Sequence, residues 1–151
     1  MRKRNDIQMD DGKPIGGKWN YDAENRRGFG RQGPVELPPP PAFTPDAITR
    51  EVLRLVDREF PEHPGELEDF NWPVTPGEAD VALQDFITQR LPGLGRYQDA
   101  MWTEQPFLYH SLLSSSLNLA LLDPSQAIGM ATGALDDGVA PLAAVEGFIR
   151  Q

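Results

Sequence analysis

The stretch TPGEADVALQDFITQRL, Thr75 to Leu91, carries the clearest helix signal in the sequence. Thr75 and Glu78 have the spacing of a capping box, in which each side chain accepts a hydrogen bond from the backbone N–H of the other residue. Pro76 suits the first helical position, where no N–H is needed. The apolar residues that follow share one helical face: Ala79, Leu83, Phe86, Ile87 and Leu91. We expect the Pro-Gly pair after Leu91 to end this helix.

Helix signals of the same kind lie on both sides of this stretch. Before it, Thr44 as N-cap and Pro45 as first residue predict a helix that runs to about residue 60. Its apolar face is formed by Ile48, Val52, Leu55, Val56 and Phe60. After it, further helices are predicted at about residues 106–122, 124–135 and 141–151. We find no internal repeat and no strand-like alternation, so the sequence predicts an all-α fold of about five helices.

Residues 1–43 have the composition of an extended linker. Gly and Pro interrupt them every few residues, as in DDGKPIGG and PVELPPPP, and no helical periodicity persists. A free linker rarely contains three aromatic residues such as Trp19, Tyr21 and Phe29. We expect Trp19 and Tyr21 to pin this arm to the helical part rather than to stack on a nucleic-acid base. The predicted organisation is a linker over residues 1–43 and a helical domain over residues 44–151.

Composition narrows the class of protein. The chain has 151 residues, of which 39% are hydrophobic, and this suffices for one domain with a core. No apolar run approaches the roughly 18 residues of a membrane span, and no secretory leader is recognisable, so we expect a cytoplasmic protein without a membrane partner. The sequence has no cysteine and only two histidines, so we expect no metal site within these residues.

Charge is distributed unevenly along the sequence. Residues 1–31 hold eight Lys/Arg and five Asp/Glu, whereas residues 32–151 hold six and eighteen, and the net charge is −9. An acidic body is not typical of a free-standing nucleic-acid binder, because phosphate attraction dominates such binding. The basic stretches MRKR and NRRGFGR are interpreted as a solvated arm, with contact to a polyanion as the alternative.

Local motifs alone give little indication of catalysis. We recognise no nucleophile elbow, no P-loop and no dinucleotide glycine fingerprint, and we assign no catalytic residue within the chain. The segment FLYHSLLSSSLN, Phe107 to Asn118, combines a leucine stripe with many hydroxyl groups. Its serines suit close helix packing, but a serine-rich helix start also offers hydroxyls and N–H groups to a phosphate. The Tyr97 hydroxyl suits the other end of a long cofactor, and both interpretations stay open on the residues alone.

Four segments in this order and spacing carry a resemblance to a known family: GKPIGGKWNYDAENR, GRYQDAMW, LYHSLLSSSLN and APLAAVEGFIRQ. They resemble the deoxyribodipyrimidine photolyase-related proteins, the bacterial iron–sulfur photolyases of the photolyase/cryptochrome superfamily, over essentially the whole chain. HSLLS, His110 to Ser114, is similar to the Thr-Ser-x-Leu-Ser segment with which other photolyases hold the flavin phosphates. Tyr97 lies in the Gly-x-Tyr context that precedes that segment.

The resemblance implies FAD bound without a covalent bond in a helical domain. The implied phosphate contacts are His110, Ser111, Leu112, Leu113 and Ser114, with the leucines acting through their backbone N–H groups. Tyr97 would contact the polar chain of the cofactor. Asn118, Glu146 and Gln151 would face the same cavity, with plain helix packing or solvent exposure as the alternative for Asn118 and Glu146.

The resemblance also implies that much of the family's machinery lies outside these residues. Family members continue past EGFIRQ with a Gly-Trp-Arg-Glu motif, electron-transfer aromatics, a lesion-pocket histidine and four cluster cysteines, and an antenna domain precedes. We therefore expect this chain to be the interdomain linker and the first helices of the FAD-binding domain of a larger, monomeric enzyme. That enzyme would use FAD to repair UV lesions in DNA, chiefly (6-4) photoproducts. Its antenna chromophore and [4Fe–4S] cluster would lie outside this chain, and His110 would not be its catalytic histidine.

Two other functions stay open at this stage. The first is a cryptochrome-like flavin light sensor, which would use the same cofactor for signalling instead of repair. The second is a truncated helical remnant that binds no cofactor.

Overall fold

A computed structural model describes residues 7–151, so the predicted basic stretch MRKR lies outside the described residues. The helices are α1 Ala47–Glu59, α2 Pro76–Asp85, α3 Leu91–Tyr97, α4 Ser114–Asn118, α5 Pro124–Asp136 and α6 Leu142–Arg150. The arm holds two short antiparallel strands, β1 Met9–Asp10 and β2 Lys13–Pro14, and two short 3-10 turns, Ile15–Gly17 and Asp22–Glu24. The all-α prediction is confirmed. Among residues 7–151, no helix is both long and apolar enough to cross a bilayer.

The capping box that starts α2 is formed as predicted, but the helix does not end at Pro92. The Thr75 hydroxyl accepts from the Glu78 N–H at 3.2 Å, and the Glu78 carboxylate accepts from the Thr75 N–H at 3.1 Å. A π-helical turn, Phe86–Arg90, then joins α2 directly to α3. Pro92 falls in the first turn of α3, where its missing N–H is tolerated, so the chain continues as a helix to Tyr97.

The core forms where α3 crosses α6. Gly95 of α3 lies so close to α6 that an added Cβ would stand 2.6 Å from the Cα of Ala144. Apolar side chains from α2, the π turn, α3, α5 and α6 surround this crossing. The members with almost no exposure are Ala79, Leu83, Phe86, Leu91, Leu94, Leu113, Ala131, Ala144 and Val145. Packing of α6 against α3 therefore organises the helical body.

The predicted helix over residues 106–122 is largely wrong. Phe107–Leu113 are irregular, and only Ser114–Asn118 form a helical turn. Leu108 and Leu113 are both buried, at 7% and 1% exposure, yet residues five apart in a helix point about 140° from each other. The backbone buries both leucines by adopting left-handed angles at Leu108 and Leu112, with φ of 45° and 59°. A right-handed helix does not contain such angles. We call Phe107–Leu113 the 107–113 loop.

Two smaller predictions also need correction. α1 begins at Ala47 with Asp46 as its N-cap, since the Asp46 carboxylate accepts from the Thr49 N–H at 2.7 Å, so Thr44 lies outside the helix. Aspartate caps a helix at least as well as threonine does, and here it is nearer to the free amides. The arm also contains a hairpin that the sequence analysis missed, with Asp11 and Gly12 both at positive φ in the turn. An Asp-Gly pair is the usual signal for such a turn.

The apolar face of α1 is not covered by the described residues. Ile48 is 72% exposed, Val52 49% and Leu55 45%, although their spacing is that of a core-facing helix. This face therefore adds little to the stability of the part of the chain that is described.

Gly95→Ala is expected to destabilise the chain by about 1–3 kcal/mol, because the new methyl group overlaps the α6 backbone. Gly129→Ala is the matched control, since Gly129 lies inside α5 with open space around it. The control is expected to raise stability by about 0.5–1 kcal/mol through helix propensity. Urea unfolding followed by circular dichroism measures both, and equal effects of the two substitutions would contradict the close crossing.

Candidate functional site

Tyr97 stands at the centre of an aromatic stack that joins three parts of the chain. Its ring lies on Phe29 of the arm at 4.4 Å between centroids and on Tyr109 of the 107–113 loop at 5.7 Å. Burial, and to a lesser degree the neighbouring Tyr97, raise the pKa of Tyr109, so this phenol stays protonated. Tyr97 therefore ties the end of α3 both to the arm and to the segment that holds the predicted phosphate contacts.

The five predicted phosphate contacts lie in three different environments. Ser111 and Leu112 line a cavity of about 280 Å³, whereas the Leu113 side chain is in the core. His110 and Ser114 are exposed. Within the described residues, no backbone acceptor receives a hydrogen bond from the N–H groups of residues 111–114. The segment thus offers the Ser111 hydroxyl and amides that have no backbone acceptor, of which that of Leu113 is enclosed, while α4 has only five residues and its dipole contributes little.

The cavity beside Ser111 has mainly aromatic and proline walls. The arm supplies Pro40, Pro41 and Phe43, and the segment before α2 supplies Trp72, whose ring meets Phe107 edge-on at 6.2 Å. Asp69, Asn71 and Arg90 add polar groups to the lining. Such walls suit a flat or apolar group that carries a few polar atoms.

A second cavity, of about 630 Å³, is lined by Tyr97, which does not line the first. It lies between the arm, α3 and the start of α6, and Arg27 and Arg96 line it together with Tyr97. The two arginines are exposed, and the Arg27 N–H donates to the Arg96 carbonyl at 3.0 Å. This contact fixes the basic part of the arm to the helical body.

Glu146 lies in a buried polar strip where the arm meets α6. It is 3% exposed, with one carboxylate oxygen 3.7 Å from Arg150 Nε and the other without a partner among the described residues. The Asn25 side-chain amide donates to the Ala143 carbonyl at 3.1 Å. The side-chain carbonyl oxygens of Asn25 and Gln98 are buried and have no partner among the described residues. Glu146 thus lies beside Arg150, which also pairs with Asp22 of the arm, and it lines neither cavity.

The structure does not bring all the predicted site residues together. Asn118 and Gln151 are exposed and line neither of the two cavities. Of Ser114, Ser115 and Ser116, which were also interpreted as packing residues, only Ser116 is buried. Tyr21 is buried against the arm and donates to the Ile15 carbonyl at 3.1 Å, whereas Trp19 is 55% exposed.

Sequence reasoning missed Arg90, which is 1% exposed. Its guanidinium lies 3.0 Å from an Asp85 carboxylate oxygen and donates to the His110 carbonyl at 3.2 Å. Burial lowers its pKa and Asp85 opposes that shift, while the group stays charged as arginines in proteins do. The available signal was an arginine four residues after Phe86, on the apolar face of the helix.

Comparison with known proteins agrees with these motifs. Residues 1–72 match the family model described as deoxyribodipyrimidine photo-lyase-related protein. The whole chain is 45% identical over 151 residues to a protein of Agrobacterium fabrum strain C58 named (6-4) photolyase. The chain spans 29% of the length of that relative.

Asp22→Asn is expected to loosen the arm and to remove an acid-sensitive part of its docking. Hydrogen bonds from Arg150, at 2.9 Å, and from Arg26 lower the pKa of Asp22. A lowered pKa means that the stabilising contribution is complete above the unfolded-state pKa of about 3.9 and is lost as pH falls through the folded-state value.

Hydrogen exchange of the Arg27 N–H, which is bonded to Arg96, measures this docking. In the unchanged chain its protection should fall below about pH 4. In Asp22→Asn the protection should be lower at neutral pH and lack that acid-side step. Asp57→Asn on α1 is the control, and equal acid profiles for Asp22→Asn and the unchanged chain would contradict the role of Asp22.

Proposed function

Because the chain belongs to the deoxyribodipyrimidine photo-lyase-related family, we propose that it forms one side of the FAD site in a light-dependent DNA-repair enzyme. The observation that carries the proposal is the 45% identity to a (6-4) photolyase along the entire chain. Since the chain spans 29% of that relative, the activity, the substrate and the partners of the complete protein are all part of the proposal.

The donor groups of the 107–113 loop and of Ser114 fit a phosphate-bearing cofactor. A hydroxyl at Ser111 and unpaired N–H groups at Leu112, Leu113 and Ser114 are groups that bind phosphate oxygens. Asp69 lines the same cavity, so the phosphates belong on the Ser111 side of it. His110 is a further proposed contact because it adjoins these groups and is exposed.

Tyr97 is proposed to contact the polar chain of the cofactor beyond the phosphates. Its stacking on Tyr109 links α3 to the loop that holds the phosphate contacts, which supports a shared site. Asn118, Glu146 and Gln151 also remain proposed contacts, but unlike Tyr97 and Ser111 they line neither of the two cavities. They would meet FAD only where groups outside this chain extend the site.

The bound flavin would supply light-driven electron transfer to a pyrimidine lesion, a chemistry that belongs to the cofactor. The residues of this chain bind and orient the cofactor and take no proposed part in bond breaking. The antenna chromophore and the [4Fe–4S] cluster are assigned to parts of the complete protein outside these residues. Damaged DNA is the proposed partner of a monomeric, cytoplasmic enzyme. A lesion that is already unstacked costs little free energy to extrude from the duplex.

Light-dependent repair of an oligonucleotide that contains a (6-4) photoproduct, by the complete protein, tests the function directly. Restoration of the intact pyrimidines under blue light, and not in the dark, is the expected result. A flavin photocycle without any repair would instead support the light-sensor alternative.

Ser111→Ala in the complete protein is expected to weaken FAD binding by about tenfold to a hundredfold, because a hydrogen bond to a charged phosphate contributes about 1.5–3 kcal/mol. The measurements are the flavin-to-protein absorbance ratio after purification and the dissociation constant of FAD. Ser115→Ala is the control, since Ser115 is exposed on α4 and is not among the proposed contacts. Unchanged flavin occupancy in Ser111→Ala would contradict the assignment of Ser111 as a phosphate contact.

A further inference from the structure

We infer that Arg90 is a positioning residue of the proposed flavin site, and that it acts by holding the backbone of the 107–113 loop. The inference rests on the proposed function, because it concerns how the phosphate contacts are kept in place. Arg90 itself is enclosed and is not proposed to touch the cofactor.

The Arg90 guanidinium connects two separate parts of the chain. One nitrogen binds Asp85 at 3.0 Å, at the end of α2, and another donates to the His110 carbonyl at 3.2 Å, twenty residues further along the sequence. The group also lies 5.9 Å from the centre of the Phe86 ring. Asp85, Phe86 and Arg90 belong to one continuous run of helix, so the carbonyl is held against a rigid element.

Arg90 is not explained by stability alone. Its side chain is 1% exposed, and a buried ion pair often stabilises a fold less than apolar residues of the same volume would. The Nε–H is also buried and has no acceptor among the described residues, which adds a cost. The gain from this arginine is therefore the geometry that its two hydrogen bonds impose.

That geometry is needed at His110. The residue lies between Leu108 and Leu112, which both have the left-handed backbone that residues with a Cβ avoid. Without the bond from Arg90 to the His110 carbonyl, the loop would relax toward more favourable backbone angles. Ser111 and Leu112 directly follow the held carbonyl and line the same cavity as Arg90, so such a change would move the proposed phosphate contacts.

Arginine and lysine should differ at this position. The guanidinium is a planar fork that binds two acceptors in fixed directions, whereas a lysine ammonium is a point charge on a flexible stem. Arg90→Lys therefore keeps the charge beside Asp85 and loses the fixed bridge to His110.

The test compares FAD with riboflavin, which has the same ring system but no phosphate. The complete protein is freed of flavin, and the affinities for both ligands and the thermal midpoint are measured. Arg90→Lys should lower the affinity for FAD at least tenfold and change the affinity for riboflavin by less than twofold. Asp85→Asn removes the charge that anchors the guanidinium. It should lower the affinity for FAD about threefold to tenfold, again with little change in the affinity for riboflavin. Arg58→Lys is the control, since Arg58 forms an exposed pair with Glu59 at 2.9 Å, and no change is expected.

Three outcomes would overturn the inference: unchanged FAD affinity in Arg90→Lys, equal weakening of FAD and riboflavin, or loss of thermal stability without a selective loss of FAD. If Arg90→Lys does not fold, Asp85→Asn decides by the same ratio. Ser111→Ala separates the two proposals. If Ser111→Ala lowers the affinity for FAD while Arg90→Lys does not, the positioning role is wrong and the proposed function stands. If neither does, or if the unchanged protein binds FAD no tighter than riboflavin, the proposed function fails as well.

Discussion

The close crossing of α3 and α6 at Gly95 and Ala144 is the constraint on which the remaining structure depends. Two backbones can approach this closely only where one residue lacks a Cβ. The crossing places Asn25 of the arm within reach of the Ala143 carbonyl and Asp22 within reach of Arg150. Docking of the arm and the position of the second cavity, which Gly95 and Ala144 both line, therefore depend on one glycine.

The 107–113 loop shows how tertiary demands override a local pattern. Its leucines have helical spacing, but Leu108 and Leu113 are both buried, and residues five apart lie about 140° from each other around a helix rather than on one face. Tyr109 adds a second demand, since its ring occupies the space beside Gly93, where an added Cβ would lie 2.5 Å from it. The loop satisfies these contacts with two left-handed leucines, a choice that no sequence window reveals.

Much of the architecture could be predicted because it rests on local chemistry. The capping box at Thr75 and the Asp123 cap of α5 depend on residues within one helical turn, and both are present. Local chemistry could not predict three other features: the continuation of the helix past Pro92, the capping of α1 by Asp46 and the role of Arg90. Each depends on contacts that exist only after distant segments have packed, as does the separation of Glu146 from the Ser111 cavity.

The π turn at Phe86–Arg90 has a consequence for insertions and deletions. A π turn holds one residue more than the corresponding α-helical turn, and each residue advances a helix by about 100°. Deletion of exposed Thr88 would therefore remove the extra residue and return the turn to α-helical geometry, and the residues after it would keep nearly the same facing relative to α2. A deletion within the regular part of α2 would instead rotate the following residues by about 100°, and Gly95 would turn away from α6 and Tyr97 from its stack. Related sequences should therefore tolerate the loss of one residue within Phe86–Arg90 better than within α2.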